Sequence, residues 1–574
     1  MTSHWTVAGT PRSSGDPEFT LPTDWAPSST PGIIAARLEL GKGGAASGCS
    51  RATVCFVATG VEASQAPVEV AVAAPHEHPR PLDRLDRWRT SWRDRGREIR
   101  FQSVVPHLPI ILLMLAYTVY FSGLSIDIYR GYGSPGFDMG IFDQGIWLLS
   151  QFKAPFVTIM GRNLFGDHTS FILLLLVPVY WIYPHATALL VIQSALLALG
   201  ALPVYLLARN RLHNNVMATV LAGAFLLHPA LQWGNLEQFH PEAFLVPLVG
   251  LAIYAAVTWK PWLLILSAGL CLLVKEDVVL FIVPLGLWVA YRRNKAFGWR
   301  LVAAGVIAAL FATEIVIRSL MGVPSIYTNR IPFGGLRSFL STMLHKPGKI
   351  LDLLWSDRRP FYLWQMVFPS ALIFFRAPEV ALVGLLILAS NIVSSFPYQH
   401  QINYHYSLAT VSVLAMGTVY AIGTLKKNAY RATAVGAVAV CSLYACFLWG
   451  ALPAISINKV PHWHPSNPEV HDINAVLSAL PPHAIVSAHY SFISHLDHRD
   501  AAYQWPTPFH ASYWGQWKQE GQRLPVADKV EYVFLPVQLS ADDQKVLDQI
   551  RPEFHVVKQV GFAMLLQRTS APPP

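Results

Sequence analysis

Apolar runs recur along this chain near 104–122, 186–208, 215–232, 243–259, 261–275, 277–291, 299–319, 360–376, 378–396, 405–424 and 432–453. A helix rises ~1.5 Å per residue and the bilayer core is roughly 30 Å thick, so about eleven crossings are expected, the shorter runs falling below a full span. Basic residues close every second run: Arg209 and Arg211, then Lys260, then Arg292, Arg293 and Lys295, then Arg376, then Lys426, Lys427 and Arg431. Lys and Arg favour the cytoplasmic ends of spans, so the pattern is coherent when the N-terminus is cytoplasmic. The run TSFILLLLVPVYWIYP, 169–184, breaks that alternation if it is counted as a crossing. It reads as a helix at the outer interface, with Trp181 and Tyr183 as headgroup anchors.

Composition agrees. Hydrophobic residues make up 53% of the chain and charged residues 13%, about half the charged share of soluble domains, which excludes a soluble enzyme as the main body. The formal charge of +9 is spread over the ends of apolar runs and forms no single basic patch, so nucleic acid is not an expected partner and the lipid bilayer is. Five Cys are too few for a disulfide framework in a chain this long, and Cys271, Cys441 and Cys446 lie in apolar runs as small hydrophobic residues. Residues 1–100 lack a sustained period and end in PHEHPRPLDRLDRWRTSWRDRGREIRF, a disordered basic cytoplasmic region with no cleaved leader expected. The transmembrane domain takes 101–454. An odd number of crossings places 455–574 outside, where IVSAHYSFISHL, VEYVFLPVQ and HVVKQVGFAMLLQR read as strands and DDQKVLDQI as a helix. The expected fold is an all-α polytopic membrane protein with interfacial helices in its first outer loop and a small extracytoplasmic C-terminal α/β domain.

On this topology the chemically capable residues collect on the outer face. Asp138 and Asp143 are five residues apart in FDMGIFDQGIW, about 140° around a regular helix, so they cannot address one atom from the same helix. Asp138 follows Gly136 at a helix mouth, where a capping role competes with a catalytic one. Asp143 lies inside an amphipathic segment and needs either a partner or a raised pKa, which suits a general base or cation ligand. His168, Glu237 and His240 supply imidazole and carboxylate on the same side, a donor set open to Mg²⁺, Mn²⁺ or Zn²⁺ but without the spacing of a dedicated metal motif. Hydrogen bonding at helix ends is the plainer reading of those residues.

Lys275, Glu276 and Asp277 sit between apolar arms of about 14 residues, too short for a ~30 Å core, so they should lie below the outer surface. Charges at depth face a watery cavity or one another, so Lys275 could hold a phosphate or the three could be a salt-bridged trio. Glu314 and Arg318, four apart, should neutralise each other on one helix face. His400, Tyr404, His405 and Tyr406 could line a sugar or phosphate site, although tyrosine is common at interfaces.

The strings FDMGIFDQGIW, GDHTS, PVYWIYP, LPVYLLAR, FHPE, LLVKEDV and NYHYS together resemble a bacterial family of polytopic membrane proteins defined as a domain of unknown function, over roughly 105–570. More distantly, the order of first span, acidic outer loop and interfacial helix resembles GT-C type glycosyltransferases of the protein mannosyltransferase and aminoarabinose transferase kind. That resemblance implies a bacterial plasma-membrane enzyme that takes a sugar from a polyprenyl-phosphate carrier and passes it to an envelope glycan, lipid or protein acceptor. The catalytic acid of the first outer loop would fall on Asp138 or Asp143. The adjacent acidic pair of many such enzymes is replaced here by two Asp five positions apart. Lys275 or Arg330 would stabilise the leaving phosphate, with Glu276, Asp277, His405 and Tyr406 around the substrate. A divalent cation, Mg²⁺ or Mn²⁺, is a possible cofactor. The other functional classes are a transporter or flippase of an envelope precursor and a noncatalytic envelope protein; no internal repeat supports the former.

Overall fold

The computed structural model describes residues 105–570, apart from 326, 459, 461, 462 and 514–518. The expected disordered basic region, 1–100, lies outside the described residues.

Backbone N–H and C=O groups in lipid must be satisfied within the segment, which helices achieve. Six helices are long and apolar enough to cross a membrane: Val105–Arg130, Ala186–Leu212, Pro241–Thr258, Lys295–Met321, His405–Gly423 and Asn428–Trp449. A seventh arises if Asn215–Leu226 and Pro229–Leu236, bent by 49°, are counted together.

Eleven crossings are not reached by length. Run 261–275 contributes the short helix Pro261–Leu272, and run 277–291 the helix Val279–Arg292 with Pro284 inside it. Run 360–376 becomes Arg359–Val367 followed by two 3-10 turns, with Ala371 and Leu372 left-handed at φ 50° and 57°. Run 378–396 becomes a 3-10 turn and the helix Leu385–Val393. Apolar content survives in all four; in the run 360–376 the left-handed residues interrupt the hydrogen-bond ladder that a continuous span requires. The segment Phe171–Ile182 is likewise a short apolar helix, with Trp181 and Tyr183 exposed.

The basic helix ends nevertheless gather at one end of the bundle. Arg292 pairs with Glu379 at 3.2 Å and donates to the Tyr420 hydroxyl at 3.4 Å, while the Arg211 guanidinium lies 4.7 Å from the Tyr420 ring. Arg376 donates to Thr424 Oγ1 at 3.2 Å, and Arg293 to the Ala256 carbonyl at 3.0 Å. Tyr420 and Thr424 close the helix Leu408–Gly423, whose other end carries His405. Sixteen residues of helix separate these two ends by roughly 24 Å. The bundle therefore has a basic end and a distant polar end.

The C-terminal region forms a five-stranded sheet in the order Ala502–Gln504, Val486–Ala488, Tyr532–Pro536, Ala563–Arg568, Phe554–Val560. The first three strands are parallel and the last two antiparallel. Side chains alternate across a strand, so the sheet serves two cores. Val533 and Leu535 face Val546, Leu547 and Ile550 of the helix Ala541–Ile550. Phe534 on the opposite face joins Phe492 and Ile493 in a core shared with Met139, Ile141 and Ile146 of the first loop. The tail is thereby fastened to the loop that carries the two aspartates.

Candidate functional site

Asp138 stands in a single wide turn, Gly136–Gly140, just before the helix Ile141–Ser150. Phe137 is extended and Asp138 takes φ 74°, ψ −81°, a conformation that L residues rarely hold and that costs on the order of 1–3 kcal/mol. The tail enforces it. The Gly136 N–H donates to the Tyr490 carbonyl at 2.7 Å, and a Cβ at Gly136 would lie 1.9 Å from Ile493 Cγ2. Asp138 is not a cap: the Gly140 position precedes the helix and receives no side-chain hydrogen bond.

Asp138 Oδ1 lies 3.4 Å from His240 Nε2. His240 precedes the turn Pro241–Phe244; its N–H donates to Gln193 Oε1 at 2.8 Å and its Nδ1 to the Gln238 carbonyl at 3.2 Å. Nε2 is buried and lacks an aligned hydrogen bond, although it is within ion-pair distance of Asp138. Burial opposes a charge on this ring, but the Glu237 and Asp138 carboxylates outweigh it and hold His240 up at about 9. Burial pushes the Glu237 carboxyl well above its usual range. The His240 ring stacks on His405 at 3.8 Å. His405 gives its backbone N–H to Glu237 and places Nδ1 3.1 Å from Glu237 Oε1. Its Nε2 is 3.7 Å from Glu242, which accepts a 2.9 Å hydrogen bond from buried Lys275.

Asp138 opens into a cavity of about 680 Å³ also lined by Glu237, Arg330, Tyr404, His405 and Tyr406. Arg330 is held in place through its carbonyl, which accepts from the Ser395 N–H at 2.9 Å. Its guanidinium lies over Tyr327 at 4.1 Å, Phe396 at 4.4 Å and Tyr406 at 5.7 Å. Among the described residues no carboxylate is within ion-pair distance of it. The tail contributes Tyr490, Gln504 and Trp505 to the wall. Those three, with Tyr327 and Phe396, are among the lining residues that sequence reasoning did not single out; only folding brings them to the site.

The two aspartates part company. Asp143 is buried away from this cavity, accepting hydrogen bonds from the Tyr180 hydroxyl and from His498 Nε2, the latter at 3.0 Å. Asp497 lies beside it, and burial, then the Asp143 carboxylate, push the Asp497 carboxyl well above its usual range. His168 does not join Glu237 and His240. It pairs with Glu276 at 2.7 Å, next to a knot in which Arg162 and the Tyr327 hydroxyl both donate to Asp167. Against the effect of burial, the Arg162 guanidinium holds Asp167 below the usual carboxylate range. Lys275, Glu276 and Asp277 also separate: Lys275 turns to Glu242, Glu276 to His168, and Asp277 stays 3.9 Å from Lys275 with its carboxylate half exposed. Glu314 and Arg318 pair at 2.5 Å on their helix face.

At the cavity, Glu237, His240 and His405 come together as possible metal donors, their ligand atoms lying within 4.8 Å of one another. One carboxylate and two imidazoles suit Mn²⁺ or Zn²⁺ better than Mg²⁺, which prefers oxygen.

No curated protein matches the sequence. Among solved structures, the chain is similar in fold to ArnT from Cupriavidus metallidurans bound to undecaprenyl phosphate, at 12% identity and TM-score 0.50, covering 81% of this chain and 99% of that one. The apo state of the same protein gives 13% identity and TM-score 0.49 over the same shares. The expected likeness to GT-C type enzymes thus appears in the fold. Residues 133–564 match the family described as "Predicted membrane protein (DUF2079)", and the chain belongs to that family of membrane proteins.

Proposed function

We propose that this protein is a GT-C type membrane transferase that moves a sugar from a polyprenyl-phosphate carrier to an envelope acceptor. The observation that carries the reading is one cavity holding both a strained, half-open carboxylate, Asp138, and a guanidinium without an acidic partner, Arg330. An ArnT crystal structure with this fold contains undecaprenyl phosphate, which supports a lipid-phosphate ligand for the cavity.

In the proposed reaction Asp138 takes the proton of the acceptor hydroxyl as its oxygen attacks the anomeric carbon. The bond from that carbon to the phosphate oxygen breaks, and the electron pair leaves with the phosphate, whose charge Arg330 stabilises. Direct displacement inverts the anomeric centre. His240 holds Asp138 in place. Lys275, already bound to Glu242, supports His405 and Tyr406 from behind the cavity and does not meet the phosphate. A cation at Glu237, His240 and His405 would add positive charge beside the departing phosphate. The bundle's basic end would face the cytoplasm, placing the cavity and the C-terminal region outside.

The test is purified protein in nanodiscs with radiolabelled polyprenyl-phosphate sugars and membrane acceptors. Transfer by wild type should fall at least 100-fold in Asp138→Asn. No transfer from any donor, together with uptake of an envelope precursor into vesicles, would replace this reading with a transporter.

A further inference from the structure

A second cluster lies where the first loop meets the tail, apart from the cavity. Asp143 on the helix Ile141–Ser150 and Asp497 and His498 from the tail present two carboxylate oxygens and one imidazole nitrogen within 4.8 Å of one another. Asp143 and Asp497 are 1% and 3% exposed, and among the described residues neither forms an ion pair with Lys or Arg. Asp497 Oδ2 is buried without a hydrogen-bond partner. It sits beside the Asp143 carboxylate, and two carboxyl groups buried side by side must share a proton or a cation. The surroundings are already arranged as an outer shell: the Tyr180 hydroxyl donates to Asp143, and the Trp147 ring stacks on His498 at 5.7 Å and 12°.

We propose that Asp143, Asp497 and His498 form a site for a divalent transition cation, Zn²⁺ or one of similar preference, that clamps the tail to the first loop. Two oxygens and one nitrogen with a place left for water form the three-ligand set that zinc accepts. Ligand atoms around a tetrahedral zinc stand roughly 3.4 Å apart at its usual bond lengths, so the cluster closes on the ion by small side-chain movements. His498, whose Nε2 now meets Asp143 at 3.0 Å, would bind as the neutral ring with its proton on Nδ1, so that the Nε2 lone pair faces the metal. Asp143 lies five residues after Asp138, so an ion here would hold the turn that keeps Asp138 in its strained conformation.

The experiment uses the full chain in detergent, stripped with chelator and dialysed against radioactive Zn²⁺, with thermal unfolding and limited proteolysis of the tail as second readouts. Wild type should bind zinc; in a His405→Gln background, which removes the donor set at the cavity, adding His498→Gln, whose side chain is 30% exposed and whose loss spares the core, should weaken the remaining binding 10- to 100-fold. Asp497→Asn should do the same, while His405→Gln at the cavity should leave this zinc in place. Zinc should raise the wild-type melting temperature and protect the tail, with neither effect in His498→Gln. The proposal is overturned if wild type binds no zinc, or if binding survives His498→Gln and Asp497→Asn and is lost in His405→Gln. Because zinc occupancy is read without any donor or acceptor, this outcome is independent of the transfer assay.

Discussion

Replacing Arg330 with alanine separates ligand binding from folding. The guanidinium contacts aromatic faces and the Tyr406 hydroxyl, and among the described residues it has no carboxylate partner, so its removal breaks no ion pair there. Its stacking contributes about 0.5–1 kcal/mol per partly exposed ring, a loss that a folded membrane bundle tolerates. Hydrogen bonds from a charged donor to a phosphate are worth about 1.5–3 kcal/mol, and each 1.4 kcal/mol is tenfold in affinity. Arg330→Ala should therefore weaken binding of undecaprenyl phosphate by about 10- to 150-fold. Arg330→Lys keeps the charge but loses the planar fork, and should fall between the two. The assay is equilibrium binding of labelled undecaprenyl phosphate to protein in nanodiscs, with melting temperature measured alongside. A folded Arg330→Ala protein that binds within twofold of wild type would refute the assignment of Arg330 to the phosphate.

Gly136→Ala should destabilise the first loop by about 1–3 kcal/mol, because its Cβ would overlap Ile493; the double variant with Ile493→Ala should regain part of the loss in a thermal melt. His489 and His495 are both pushed down to about 4 by burial, from an ordinary 6.5. Their neutral forms support folding above pH 6.5, and that support is lost as pH falls towards 4. Each contributes up to about 3 kcal/mol at 1.36 kcal/mol per pKa unit, so His489→Gln should flatten the acid limb of the stability curve. Lys275→Met leaves the buried Glu242 carboxylate without its hydrogen-bonded cation and should cost about 3–5 kcal/mol, read as lost monodispersity in detergent; adding Glu242→Gln should restore most of it.

Hydrophobic runs, flanking charge and turn residues are local properties, and they alone determine that this is a helical membrane protein with alternating basic ends and a tail of short strands. The same local signals mark Asp138, the short apolar segment at 169–184 and the polar loops that later meet. They mark eleven apolar runs, of which six or seven form helices of spanning length among the described residues, since apolar content does not register breaks such as the left-handed Ala371 and Leu372. They also cannot decide partnership. Asp138 and Asp143 are five residues apart yet serve different clusters, since the backbone leaves helical geometry at Phe137 and Asp138, where Gly136 packs closely against Ile493. His405 meets Glu237 across 168 positions of sequence, and His498 meets Asp143 across 355. Lys275 finds Glu242 in a neighbouring helix, and His168 finds Glu276. Such pairings follow from how the helices and the sheet pack as bodies, an arrangement set by surfaces drawn from the whole chain, and so they belong to the tertiary structure alone.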